Sequence, residues 1–365
     1  MARLCLGLLV VIFSVLVHYV IGQNESCLDC RSVKSCPAAV QLLQGELTEE
    51  VKQTLRNAFC RYTNAEPYVC CEKISQKTTV RTENRSYLDD HPNLKLLPDK
   101  CGVISGDRIF GGTETGIYEY PWMALISYVT KDQGLAFKCG GSLINSRYVL
   151  TAAHCIINQN IAGVRIGEHD IRSDTDCEGT PPKITCESRI QDMRVEQTIS
   201  HENYTQTPFI QNDIGLLRLR KPVDFIPKNA RPLCLPTTGR LRNLEITGQI
   251  ATVAGWGYTE SGSTSDVLLS VRVPIYSQEE CAKLYDKVLK GKTTLNKFCA
   301  GELGRDTCGG DSGGPLLVSG EHEGVTRYIQ YGIVSYGPRR CASQYPGVYT
   351  DVTKYMDWIL NTIRE

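Results

Sequence analysis

Cysteine placement constrains this chain more than any other feature. There are 17 cysteines in 365 residues, and their spacings do not repeat the paired pattern of zinc ligands, so an oxidising compartment and disulfides are the reading. Six of them, Cys27, Cys30, Cys36, Cys60, Cys70 and Cys71, crowd into one short segment. A core of that length cannot offset its chain entropy without staples, which predicts three disulfides there. Ten more run from Cys101 to Cys341, and the last, Cys5, sits in an apolar leader.

That leader reads as a signal peptide over 1–22. Arg3 supplies the positive start, Leu4 to Val17 is nearly all apolar, and Val20-Ile21-Gly22 suits cleavage before Gln23. A signal anchor is the competing reading, but His18 interrupts the run and no second apolar stretch of spanning length follows. Loss of the leader removes Cys5 and leaves 16 of the 17 cysteines, an even number, as full pairing requires. The sequons at Asn24, Asn84 and Asn203 are glycosylation candidates on the same secretory route. Formal charge is balanced, 40 Lys plus Arg against 40 Asp plus Glu, so no global field attracts nucleic acid or an anionic membrane.

Between its cysteines, the segment 27–71 carries one amphipathic helix signal: Thr48 as N-cap, Glu49 and Glu50 in the first turn, and Val51, Leu55 and Phe59 every fourth residue. Residues 72–100 have no cysteine, mixed charge and the turn-forming run Asp89-Asp90-His91-Pro92-Asn93, which predicts an exposed linker. Beyond it, short apolar runs such as Trp122 to Val129, Val164 to Gly167, Ile214 to Leu219, Ile250 to Ala254 and Gln330 to Ser335 are bounded by Gly, Pro, Asn or Asp. They read as strands of a mainly β domain, barrel or sandwich. Val352, Tyr355, Met356, Ile359, Leu360 and Ile363 keep a helical period at the C-terminus.

The chemistry is concentrated in three places. Cys308-Gly-Gly-Asp-Ser-Gly-Gly-Pro315 sets one serine among glycines, which lets the backbone turn sharply and present amide N–H groups. The order of partners decides between hydrolase types. After Ser312 the only histidine is His322 with no aspartate between, so the order serine, acid, histidine fails. Upstream, Thr151-Ala-Ala-His154-Cys155 and Asn212-Asp213-Ile-Gly-Leu-Leu217 give the order histidine, aspartate, serine.

These motifs, with Arg108-Ile109-Phe-Gly-Gly112, Gly255-Trp256-Gly257, Ser335-Tyr336-Gly337 and Pro346-Gly347-Val348-Tyr349, resemble the chymotrypsin-like, trypsin-family serine proteases over residues 109–365. The resemblance implies a double six-stranded antiparallel β-barrel with a C-terminal helix. It also implies that Ser312 is the nucleophile, His154 the general base and acid, Asp213 the orienting carboxylate, and the N–H groups of Gly310 and Ser312 the oxyanion hole. Asp306, six residues before Ser312, matches the floor of the primary pocket, with Ser335, Gly337 and Gly347 at its walls. A carboxylate there selects Arg or Lys. Gly215, Tyr336 and Phe110 stand where alanine, tryptophan and valine are usual, departures that bear on fine specificity rather than on chemistry.

The same resemblance makes Arg108-Ile109 an activation bond within the segment 72–108. Its cleavage would free the Ile109 amine to pair with Asp311, so the secreted form is read as a zymogen cut by an upstream trypsin-like protease. By analogy the pairs are Cys139 with Cys155, Cys281 with Cys299, Cys308 with Cys341, and Cys101 with Cys234, leaving Cys177 for Cys186. Catalysis needs no cofactor. Glu168, Asp170, Asp174 and Asp176 crowd one loop, a density suited to structural Ca²⁺ or simply to a solvated acidic loop.

The segment 27–71 resembles a clip domain, and clip, linker and protease together resemble the arthropod clip-domain serine proteases. That implies a monomeric haemolymph enzyme of an extracellular immune cascade, in melanisation through prophenoloxidase activation or in Toll-ligand processing. Its substrate would be a protein zymogen or cytokine precursor, and its inhibitors serpins. The alternatives are a non-catalytic clip-domain cofactor or adaptor, which would normally have lost a triad residue, and a digestive trypsin, for which a clip domain has no evident use.

Overall fold

The computed structural model describes residues 27, 30–44, 49–63, 66–74, 87–104, 113–132, 134–207, 209–258, 263–289, 296–301, 311–337 and 345–365. They form two compact units, divided between Ser86 and Tyr87.

In the first unit the strands β1 (Cys30–Ser32), β2 (Phe59–Thr63) and β3 (Glu66–Cys70) make an antiparallel sheet in the order β1-β3-β2. The expected helix spans Glu49–Ala58 and buries Val51 and Leu55. Phe59 does not extend its stripe, because the chain there turns into β2. Thr48 lies outside the described residues. A helix at Pro37–Gln44, with Pro37 at its start, was not legible from periodicity, though Pro at a first helical position is favourable. Cys27–Cys70 and Cys36–Cys71 are bonded. Cys30 and Cys60, expected to complete three disulfides, are hydrogen-bonded neighbours that are not bonded to each other in this structure. Burial and a hydrogen bond to Cys30 push the Cys60 thiol up to about 12.

The second unit opens inside the expected linker, so exposure does not describe its residues 87–101. The turns Tyr87–Asp90 and Pro92–Leu96 are ordered 3₁₀ segments, and Leu88, Leu94, Leu96 and Leu97 pack on the main apolar core. His91 Nε2 meets Asn361 Oδ1 at 3.2 Å, and the Asn93 amide donates to the Leu360 carbonyl at 2.8 Å. Asp89 pairs with Arg242 at 2.5 Å, and Cys101 is bonded to Cys234.

Strands then follow in chain order: β4 (Thr113–Glu114), β5 (Met123–Thr130), β6 (Gly134–Asn145), β7 (Tyr148–Thr151), β8 (Ile161–Ile166), β9 (Asp176–Thr180), β10 (Lys183–Glu187), β11 (Gln191–Met193), β12 (Val195–Ser200), β13 (Gly215–Leu219), β14 (Ile250–Gly255), β15 (Leu269–Pro274), β16 (Lys297–Ala300), β17 (Pro315–His322), β18 (Val325–Tyr336) and β19 (Gly347–Asp351). Two antiparallel sheets of seven result, β11-β8-β5-β6-β7-β13-β12 and β16-β19-β18-β17-β14-β15-β4. The expected six becomes seven for simple reasons. β11 and β12 are one strand broken at Arg194, and by pairing β8 on one side and β13 on the other they close the first sheet on itself. In the second sheet the addition is the two-residue β4. A bridge from Ile275 to Ala300 closes that sheet as well.

Trp122, Leu143, Ile144, Leu150, Ile166 and Leu216 are fully buried in the first core. The C-terminal helix Met356–Thr362, entered through a turn capped by Asp351, seals it with Met356, Ile359, Leu360 and Ile363. Among the described residues no helix is long and apolar enough to cross a membrane.

Candidate active site

His154 stands in the 3₁₀ turn Ala153–Cys155 at the end of β7, anchored by the Cys139–Cys155 disulfide. Its Nδ1 lies 2.8 Å from Asp213 Oδ2, and its backbone N–H donates to Asp213 Oδ1 at 3.0 Å. Nδ1 is therefore the donor, leaving Nε2 to accept a proton. Asp213 is wholly buried while His154 keeps 23% of its side chain exposed. Burial pushes the Asp213 carboxyl up, but the His154 ring and backbone donors and the Ser335 hydroxyl at 2.5 Å outweigh it and hold the group below the usual carboxylate range.

Asn212, from the aspartate motif, and two residues outside any motif fix the backbone around Asp213. Asn212 takes a left-handed φ of 50°, which asparagine tolerates better than most residues, and accepts from the Tyr355 hydroxyl at 2.8 Å. Thr350 of β19 donates to the Asp213 carbonyl at 2.9 Å. Only adjacency to Asp213 could have flagged Asn212 in the sequence, and nothing local flags Tyr355 or Thr350. The Ser335 hydroxyl donates to Asp213 at 2.5 Å.

Ser312 sits on the turn that enters β17. Its carbonyl accepts from the Gly140 N–H at 2.8 Å, and the Gly313 N–H donates to Val334 at 2.9 Å. Gly313 has φ +81°, and a Cβ there would lie 2.2 Å from Thr151 Oγ1 and 2.6 Å from the Gly140 carbonyl. Cys155 Sγ lies 3.6 Å from the Ser312 carbonyl, so the serine turn abuts the His154 turn.

Asp311 explains the Gly255-Trp256-Gly257 motif. Its Oδ1 accepts from the Gly257 N–H at 2.8 Å, and a Cβ on Gly255 or Gly257 would come within 2.0 or 2.4 Å of the carboxylate. Gly347 is buried at the start of β19, and Gly337 is exposed beyond the end of β18. Arg108, Ile109, Asp306, Gly310, Cys308 and Cys341 lie outside the described residues, as do Asn24 and Asn84. Asn203 is exposed. The pairs Cys177–Cys186, Cys281–Cys299 and Cys101–Cys234 are bonded as the resemblance implied.

The acidic loop is more ordered than a solvated run. Glu168 and Asp176 are both buried and both accept from the His169 N–H, at 2.9 and 3.1 Å. Burial raises the Glu168 carboxyl despite Arg165 at 3.1 Å. Asp170 is held by Arg172 at 2.7 Å and Asp174 is exposed. The oxygens of Glu168 and Asp176 accept from Arg165, the His169 and Asp170 N–H groups and the Ser173 hydroxyl, so a hard cation bound there would have to displace these donors.

The comparisons with known proteins agree with this geometry. A trypsin family model matches residues 109–359, and a regulatory CLIP domain of proteinases matches residues 29–71. The chain is similar to CLIP domain-containing serine protease HP8 of Bombyx mori, 40% identical over 95% of this chain and 94% of that one. It is similar to Melanization protease 1 of Drosophila melanogaster, 37% identical over 93% and 92%. It is also similar to the Spaetzle-processing enzyme of Drosophila melanogaster, 36% identical over 92% and 89%. Among solved structures it resembles the Drosophila Grass clip serine protease of the Toll pathway, with a TM-score of 0.64 and 31% identity over 92% of this chain and 94% of that one. The chain belongs to the trypsin family of serine proteases, as a member that carries a CLIP domain.

Proposed function

We propose that this chain is the secreted zymogen of a trypsin-like serine endopeptidase that cleaves after Arg or Lys. The observation that carries the reading is the buried Asp213 carboxylate, tied at once to the His154 ring and the Ser335 hydroxyl beside the Ser312 turn. Ser312 Oγ attacks the substrate carbonyl while His154 Nε2 takes its proton. His154 then returns the proton to the leaving amine, and water repeats the cycle on the acyl-enzyme. Asp213 fixes the imidazole tautomer and stabilises the imidazolium. The N–H groups of Gly310 and Ser312 receive the developing oxyanion. Asp306, which the resemblance matches to the pocket floor of the family, supplies the preference for a basic residue.

Cleavage at Arg108-Ile109 by another trypsin-like protease switches the enzyme on, with the new Ile109 amine meeting Asp311. The packing of Asp311 against two glycines supports this, since it leaves the carboxylate a fixed position. Relatives named for melanisation and for Spaetzle processing favour an extracellular immune cascade and a protein-precursor substrate; serpin control and a monomeric state complete this reading. Structural Ca²⁺ would rest on Glu168 and Asp176. The test is hydrolysis of a small Arg-anilide before and after a cut at Arg108, with Ser312→Ala as control. Activity that appears only after the cut and is lost in the variant supports the reading. No activity in correctly cut protein turns the assignment to a clip-domain adaptor.

A further inference from the structure

Lys297, at the start of β16, is the one buried lysine among the described residues, only 5% exposed. A buried ammonium is a cost unless a specific arrangement uses it. Its Nζ donates to the Ile210 carbonyl and lies over the Tyr336 ring, 4.7 Å from the centroid. Both partners flank the triad. Ile210 lies three residues before Asp213, and Tyr336 follows Ser335, whose hydroxyl bonds Asp213. Across the sheet Lys297 pairs with Thr350, the donor to the Asp213 carbonyl. Burial pushes the ammonium down to about 8, and Asp213 is the charge that opposes this.

Tyr336 is only half-buried, its ring meets Tyr285 edge-on at 6.5 Å, and it stands in the chain between two residues read as pocket walls. A ring whose π density already faces one cation attracts a second cation less well, and the two charges also repel. We propose that Lys297 is a specificity-determining residue: it holds Ile210 and Tyr336 in place and makes the Tyr336 side of the cleft reject a basic side chain next to the Arg or Lys at the cleaved bond. This inference rests on the protease reading above. It narrows the substrate class to sequences in which an acidic or apolar residue, not a second basic one, neighbours the cleavage-site residue on the acyl side.

The test uses full-length protein cut at Arg108, as wild type, Lys297→Met, Lys297→Gln and Lys297→Arg. Matched tetrapeptide Arg-anilides carry Glu or Lys at each acyl-side position in turn, with a single-residue Arg-anilide as reference. Wild type should favour the Glu peptide, and Met and Gln should each shrink the Glu-to-Lys ratio by roughly 2- to 5-fold, the size of an exposed cation–π contact, mainly through KM. Arg should keep the ratio. Gln retains a donor to Ile210 without charge, so it reports on the charge even where Met fails to fold. A ratio unmoved in Gln or Met overturns the inference alone. No hydrolysis of any Arg substrate by the cut wild type overturns the protease reading, and this inference with it.

Discussion

The Ser335 hydroxyl and the His154 ring share one oxygen of Asp213, at 2.5 and 2.8 Å. The Ser335 bond acts on the carboxylate's charge. Ser335→Ala should lower kcat about 10- to 100-fold, since a hydrogen bond to a charged group contributes roughly 1.5–3 kcal/mol, with a smaller change in KM. Losing a donor destabilises the ionised form, so Asp213 should protonate at higher pH and acid unfolding should begin at higher pH. Steady-state kinetics and acid unfolding check the two.

Asp213→Asn should keep the fold and lower kcat by about 10⁴, because the imidazole then settles in the wrong tautomer. In the wild type the folded carboxyl titrates below its unfolded value of about 3.9. Its contribution to stability is therefore complete above that value and lost as pH falls through the lower folded one. Unfolding followed from pH 5 down to pH 2 should show a loss that the Asn variant lacks.

Gly313→Ala asks a left-handed backbone to carry a side chain with Thr151 Oγ1 at 2.2 Å. Neither β7 nor the Gly140 carbonyl can retreat without opening the first sheet. A loss of about 2–4 kcal/mol is expected, read as a lower melting temperature together with loss of Arg-anilide activity.

Millimolar Ca²⁺ should raise the melting temperature of the wild type by a few degrees, as binding to the native state alone does. Glu168→Gln and Asp176→Asn should abolish the shift. Calorimetry with and without a chelator decides the matter without reference to activity.

Cys30 and Cys60 should be joined in the secreted protein, because neighbouring thiols oxidise in that compartment. Alkylation of native protein should label neither, and non-reducing peptide mapping should recover them linked. Labelling of both would show that the two-disulfide unit is the mature one.

The sequence was most readable where chemistry demands one residue type in one order. Histidine, aspartate and serine could be ranked along the chain, and the structure places His154 against Asp213. The C-terminal helix was equally plain, since every residue of its apolar stripe is buried. Much less visible were groups that act through long-range pairing. Tyr355 reaches Asn212 across more than a hundred residues, and Lys297 reads as an ordinary surface lysine until β16 carries it under Tyr336. Residues 87–101 misled for a related reason: their polar, turn-rich composition suits solvent, yet four leucines spaced among those residues find the core.

The Cys101–Cys234 bond and the packing of Leu88, Leu94, Leu96 and Leu97 have a consequence for where such an enzyme works. A cut at Arg108 leaves the chain in two pieces but still one diffusing particle. Whatever surface the clip domain recognises then confines the catalyst, and local concentration rather than intrinsic affinity governs which precursors are reached. Reduction of that single bridge, with the leucines pulled free, would turn a localised protease into a roaming one.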